Sequence, residues 1–139
     1  MISECESLLR AECGGEAFLV PSCTAALELA CKLTIQPGDE VIMPSWTFPS
    51  TASAVVLAGG TPVFVDVDQN LNAHPARIEE AITSKTKAIL PIHYAGVVAN
   101  MGAINDIAKY HGLYVIEDAA QALGNWKVTG DLGLSLIHI

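Results

Sequence analysis

Short apolar runs alternate with helix-forming stretches along most of this 139-residue chain, and that alternation limits the fold more than any other feature. Phe18-Leu19-Val20 reads as a short strand ended by Pro21. Ser22 is a helix cap, and the alanines and leucines from Cys23 to Leu33 favour helix, with Glu28 and Lys32 spaced i, i+4. After a turn at Gln36 to Glu40, Val41-Ile42-Met43 reads as a buried strand stopped by Pro44. A small-residue helix follows from about Ser50 to Leu57 and closes at Gly59-Gly60. Thr61 to Asp68 is a strand with acids at its end, and Pro75 to Ile82 a short helix showing Arg77, Glu79 and Glu80 to solvent. Lys87 to Tyr94 is a strand running into a loop, Ala103 to His111 a helix stopped by Gly112, and Leu113 to Ile116 a last buried strand. Ahead of all this, Ile2, Leu8, Leu9 and Ala11 could share one face of an opening helix. Such an order predicts right-handed βαβ units: an α/β fold with a mostly parallel sheet and helices on both faces.

Bulk properties narrow the function classes. The chain is 51% apolar and 16% charged, enough to bury a core. A net charge of -8 repels phosphate backbones and argues against nucleic acid as a partner, but backbone amides can still hold one phosphate locally. Cys5, Cys13, Cys23 and Cys31 form no C-x-x-C pair, so reduced thiols are expected and a metal site is not. No opening segment has signal-peptide character and no apolar run nears the ~20 residues of a membrane span, which makes the cytoplasm the expected compartment.

In open parallel sheets, ligands bind outside the carboxyl ends of the strands. Thr24, Trp46, His93 and Asp118 all follow expected strands, so their loops should share one edge. Each has two readings. The helix start at Ser22-Cys23-Thr24 is a simple cap or, with its free amides and hydroxyls, a phosphate site. Trp46 is a core residue or a flat platform for a planar ring. His93 is catalytic or a hydrogen-bonded structural residue. Asp118, delivered by Leu113-Tyr114-Val115-Ile116-Glu117, is an ordinary loop acid or the partner of a cationic ring nitrogen.

Six segments taken in order add to this reading: Pro21-Ser22-Cys23-Thr24-Ala25-Ala26-Leu27, Gly38-Asp39-Glu40-Val41-Ile42, Pro44-Ser45-Trp46-Thr47-Phe48, Val65-Asp66-Val67, Pro91-Ile92-His93-Tyr94-Ala95-Gly96 and Glu117-Asp118-Ala119-Ala120-Gln121. From about residue 16 to about residue 133 the chain resembles the DegT/DnrJ/StrS-type sugar aminotransferases, which have the fold type I (aspartate aminotransferase-like) architecture and use pyridoxal 5'-phosphate. The first and fifth segments look most like the branch that forms dTDP-4-amino-4,6-dideoxygalactose for surface polysaccharides. The resemblance implies that Cys23, Thr24 and Ala25 hold the cofactor phosphate, Trp46 stacks on the ring, Asp118 pairs with the ring nitrogen and Gln121 reaches the phenolic oxygen. It further implies glutamate as amino donor, a 4-keto-6-deoxy nucleotide sugar as acceptor and a homodimeric parent.

The match has a gap. The resemblance implies that a strand and a Ser-Phe-His-x-x-Lys type segment follow, whose lysine forms the Schiff base, whereas here Gly133 is followed by Leu134-Ser135-Leu136-Ile137-His138-Ile139. Lys32, Lys85, Lys87, Lys109 and Lys127 all stand elsewhere, so no catalytic residue is assigned. Residues 1–133 are therefore expected to be part of a cofactor-binding large domain, inactive alone, and 134–139 a read-through or assembly scar. Two other readings compete. An NAD-dependent sugar-nucleotide enzyme would need a glycine-rich first loop and a Tyr-x-x-x-Lys pair, but Tyr94 is followed by Val98 and Tyr110 by Tyr114. A noncatalytic fragment that binds a phosphoryl ligand, or self-associates through an open sheet edge, needs neither.

Overall fold

Alternation along each strand sends side chains to opposite sheet faces, and two apolar layers result. The computed structural model describes residues 2–13, 16–122 and 134–136. In chain order the elements are α1 (Ile2–Cys13), α2 (Cys23–Thr34), β1 (Glu40–Pro44), α3 (Pro49–Leu57), β2 (Thr61–Val65), α4 (Pro75–Glu80), β3 (Thr86–Ile89), a single 3-10 turn at Tyr94–Gly96, α5 (Met101–His111), β4 (Tyr114–Asp118) and β5 (Leu134–Leu136). The strands lie in the order β2-β1-β3-β4-β5, and every neighbouring pair is parallel.

Val41, Met43, Ala88, Leu90 and Ile116 face α2 and α3, where they pack with Leu27, Cys31 and Val55. Ile42, Ile89 and Val115 face the other way and pack with Ile78 of α4 and Met101, Ile104 and Ala108 of α5. Fully burying one such aliphatic side chain contributes about 1.5–3 kcal/mol. The helices on both faces and the parallel sheet agree with the sequence-based expectation. Two glycines fix connections. Gly112 ends α5 at φ 68, in the left-handed region. At Gly60 a Cβ would come within 2.8 Å of Ile35 Cγ2 and 3.0 Å of Val55 Cγ1, so only glycine lets the α3–β2 turn close on the core.

One expectation needs correction. Residues 18–20 are extended but form no strand; the Leu19 amide donates to Glu6 Oε1 of α1 at 3.2 Å rather than to a sheet neighbour. Apolar β-formers alone do not make a strand without a ladder partner, and Phe18 stays 74% exposed. The strand–helix alternation thus begins at α2 and β1. The opening helix does form, but Ile2 and Leu8 do not join the core and remain exposed. The backbone of 134–136, expected to lie outside the family pattern, runs beside β4 with Ile116 opposite Leu134. Among the described residues no helix is long and apolar enough to cross a membrane, and no His, Cys, Asp or Glu cluster could hold a metal ion.

The chain leaves β1 toward β2 on one side and returns to β3 and β4 on the other. That reversal opens a crevice at the carboxyl ends of β1 and β3, the place where ligands settle in sheets of this kind.

Candidate functional site

Glu117 and Asp118 are consecutive on β4, so they point to opposite faces of the sheet. Asp118 turns toward α2 and α3 and is almost fully buried. Its Oδ1 accepts from the Ala120 amide at 3.2 Å and lies 3.6 Å from the Cys23 thiol, which donates to it. Its Oδ2 accepts from the Thr51 hydroxyl at 2.9 Å, and Thr47 Oγ1 lies 2.9 Å from Thr51 Oγ1. Burial, then the charge and hydrogen bond of Asp118, push the Cys23 thiol up to about 12, which keeps it a neutral donor.

A cleft of about 270 Å³ opens above this carboxylate, lined by Ser22, Cys23 and Thr24, by Phe48 and Ser50, and by Asp118, Ala120 and Gln121. The start of α2 forms one wall. Ser22 Oγ accepts from the Ala25 amide at 3.1 Å, so the hydroxyl caps the helix and still has its proton to donate. Among the described residues the Cys23 and Thr24 amides have no hydrogen-bond partner. The segment is a cap, and it also offers unspent donors at a positive helix end.

Gln121 forms the opposite lip. Its Oε1 accepts from the Ala95 amide at 2.7 Å, which leaves its amide nitrogen as a donor with no partner among the described residues. Ala95 has φ 51 and Gly96 φ 82, and buried Asn72 braces this turn through Tyr94 N at 3.0 Å and Val97 O at 2.9 Å.

Of the residues singled out from sequence, Cys23, Thr24, Asp118 and Gln121 meet at the cleft. Ala25 sits one position deeper in α2 and contributes its amide to the cap. Trp46 belongs to the same β1–α3 loop as Phe48, half exposed, with its ring edge-on to Tyr94 at 6.2 Å. His93 lies on the other side of the sheet. Its Nδ1 accepts from the Ala99 amide at 3.2 Å, so its proton is on Nε2, 2.9 Å from Glu117 Oε2. Both partners are 1% exposed, and the structure decides for the hydrogen-bonded reading over the catalytic one. Sequence reasoning missed Thr51, Phe48, Ser50, Asn72 and Glu117. None of these carried a specific signal in the sequence; Thr51 lies in the first turn of α3 and is picked out only by its place over β4.

Lys32 ends α2, Lys109 ends α5, and Lys85 and Lys87 precede or open β3, which puts all four at the sheet edge opposite the cleft. Lys127 lies outside the described residues. A second, more open hollow of about 350 Å³ borders β2 and α4, but its Arg77 is already tied to Glu80 at 2.5 Å.

A parallel α/β sheet with helices on both faces is shared with solved aminotransferase structures that hold a pyridoxal-type cofactor. Residues 4–133 match the DegT/DnrJ/EryC1/StrS aminotransferase family. The chain is 51% identical over 109 residues to the spore coat polysaccharide biosynthesis protein SpsC of Bacillus subtilis, covering 77% of this chain and 28% of that protein. It is 56% identical over 115 residues to a UDP-N-acetyl-3-dehydro-alpha-D-glucosamine 3-aminotransferase of Acidithiobacillus ferrooxidans, covering 79% of this chain and 31% of that one. The crystal structure of NtdA from Bacillus subtilis with bound cofactor PMP superposes at a TM-score of 0.86 with 40% identity, over 88% of this chain and 29% of that one. The chain belongs to the DegT/DnrJ/EryC1/StrS aminotransferase family, whose cofactor is pyridoxal 5'-phosphate. It spans under a third of the length of each of these three relatives.

Proposed function

We propose that residues 1–133 supply part of the cofactor-binding large domain of a nucleotide-sugar aminotransferase. The observation that carries this reading is the Asp118 carboxylate, buried at the end of β4 and facing, across a cleft, the unspent donors at the start of α2. The donor set fits the cofactor: an anionic acceptor suits a protonated ring nitrogen, and free amides and hydroxyls suit a phosphate. Bound pyridoxal phosphate supplies an electron-withdrawing ring for amino transfer. Asp118 holds the proton on the ring nitrogen. The Cys23, Thr24 and Ala25 turn, with the Ser22 hydroxyl, binds the phosphate. Gln121 donates its free amide N–H to the phenolic oxygen, and Trp46 stacks from its loop.

The proposed acceptor is a dTDP-4-keto-6-deoxy sugar and the donor glutamate, in surface-polysaccharide synthesis in the cytoplasm, with a homodimeric longer protein. The Pro21-Ser22-Cys23-Thr24-Ala25 and His93-Tyr94-Ala95-Gly96 wording supports the sugar. The nucleotide-sugar class is supported by the name of the Acidithiobacillus relative. Among the described residues no lysine reaches the cleft edge of the sheet, and this part of the large domain is proposed to bind the cofactor without turning over substrate.

Titrating the purified chain with pyridoxal phosphate while recording absorbance tests this. A 1:1 spectral change, lost in Asp118→Asn and weakened in Trp46→Ala, is expected. Binding that survives Asp118→Asn overturns the cofactor assignment and favours a phosphoryl-ligand module. Transamination by the isolated chain with glutamate and the keto sugar would overturn its proposed inactivity.

A further inference from the structure

The Asp118 carboxylate offers about four lone-pair positions, two on each oxygen. On Oδ1 both are taken, by the Cys23 thiol and the Ala120 amide. On Oδ2 one is taken, by Thr51. Among the described residues one position is left for a cationic N–H entering the cleft, on Oδ2, shoulder to shoulder with the Thr51 hydroxyl. Thr51 is fully buried, and with one proton it must choose a direction. A carboxylate only accepts, so the Thr51 proton goes to Asp118, and the Thr51 oxygen is left to accept from the Thr47 hydroxyl at 2.9 Å, closer than that hydroxyl's other acceptor, Phe48 O at 3.5 Å. The relay runs Thr47 to Thr51 to Asp118 Oδ2, entirely within the β1–α3 segment and β4.

Resting on the pyridoxal phosphate reading above, we infer that Thr51, oriented by Thr47, is the positioning residue that holds Asp118 Oδ2 where the ring nitrogen binds. Thr51 does not touch the ring. It acts by fixing the rotamer and the open lone pair of the group that does. Without the hydroxyl the carboxylate keeps its two Oδ1 donors and can pivot about them, and the N–H contact loses its fixed geometry.

The test compares dissociation constants for pyridoxal phosphate and for its analogue with carbon in place of the ring nitrogen. It uses the wild-type chain, Thr51→Val, Thr51→Ser and Asp118→Asn. Valine keeps the volume and removes the hydroxyl, and serine keeps the hydroxyl. Thr51→Val should weaken pyridoxal phosphate binding by about tenfold, the effect of loosening a charge-assisted hydrogen bond, and the carbon analogue by less than about twofold. Thr51→Ser should recover most of the loss. Equal weakening of both ligands by Thr51→Val would show general damage to the cleft and overturn the inference. So would an unchanged affinity in Thr51→Val alongside a large loss in Asp118→Asn. Unchanged pyridoxal phosphate affinity in Asp118→Asn would instead overturn the cofactor reading, and the inference with it.

Discussion

Replacing His93 with phenylalanine should unfold this chain far more readily than a loss of ring nitrogens at the surface would. The imidazole is fully committed. Nε2 donates to Glu117 Oε2 at 2.9 Å and Nδ1 accepts from the Ala99 amide at 3.2 Å. Phenylalanine has nearly the same shape and neither group. It leaves a carboxylate that is 1% exposed without its donor, and a buried backbone amide without its acceptor. Breaking a buried pair that includes a charge costs about 3–5 kcal/mol, and an orphaned amide adds about 1–3 kcal/mol. Even the low end, about 4 kcal/mol, is a large share of the 5–15 kcal/mol that holds an ordinary domain folded. With a urea m-value of about 2 kcal/mol/M, the unfolding midpoint should fall by about 2 M. Urea melts followed by circular dichroism measure this. The double variant His93→Phe with Glu117→Leu should regain at least half the loss, because it removes the stranded carboxylate. A midpoint drop under about 0.5 M in the single variant would show that Glu117 finds another partner and would refute the account.

Cys23 should resist alkylation at pH 8 while exposed Cys5 reacts, since the Cys23 thiol is held up at about 12 and its thiolate grows in only toward that pH. Asp118→Asn removes a raising influence, so Cys23 labelling should start at lower pH; an unchanged profile, read by mass spectrometry, would contradict the thiol–carboxylate contact. Ser22→Ala should cost about 1 kcal/mol of stability through the lost cap and should also weaken inorganic phosphate binding at the start of α2; a stability loss with phosphate affinity intact would leave the segment a cap and nothing more. Gln121→Glu should keep the bond from Ala95 yet lose the free donor, so pyridoxal phosphate affinity should fall severalfold at nearly unchanged melting temperature; no fall would remove Gln121 from the site.

Much of the fold could be read from the chain because the strands that matter are short, apolar and bounded by proline or glycine. Val41-Ile42-Met43 before Pro44, and Leu113 to Ile116 after Gly112, are set by burial on both faces, and burial is written in residue type. Phe18-Leu19-Val20 has the same composition but no ladder, and nothing local distinguishes a segment that finds a strand neighbour from one that lies against α1. The site was legible where chemistry is carried by an unusual residue at a strand end, as with Asp118 and Gln121. It was not legible at Thr51, which becomes informative only when α3 brings its first turn over β4. His93 looked like a candidate because it follows a strand, and the face it takes depends on the turn at Tyr94–Gly96 rather than on its own identity.

That turn and the end of β4 together explain why two acids stand side by side. A strand must send Glu117 and Asp118 to opposite faces. Asp118 meets the cleft, and Glu117 would be a buried charge with no function had the loop after β3 not brought His93 to it. The same loop returns to the cleft side through Ala95, whose φ of 51 is tolerable because its amide is held by Gln121 and its neighbours by Asn72. His93 N–H also donates to Asp118 O at 3.1 Å, and Asp118 N–H to Pro91 O at 2.9 Å, so loop and strand are laced by backbone as well. One segment, 91–99, thus gives a hydrogen-bond donor to the acid that cannot serve the site and orients the amide that can. Loosening the His93–Glu117 pair should therefore be felt at Gln121 before it is felt at Thr24, since Thr24 hangs on α2 and shares no bond with that loop.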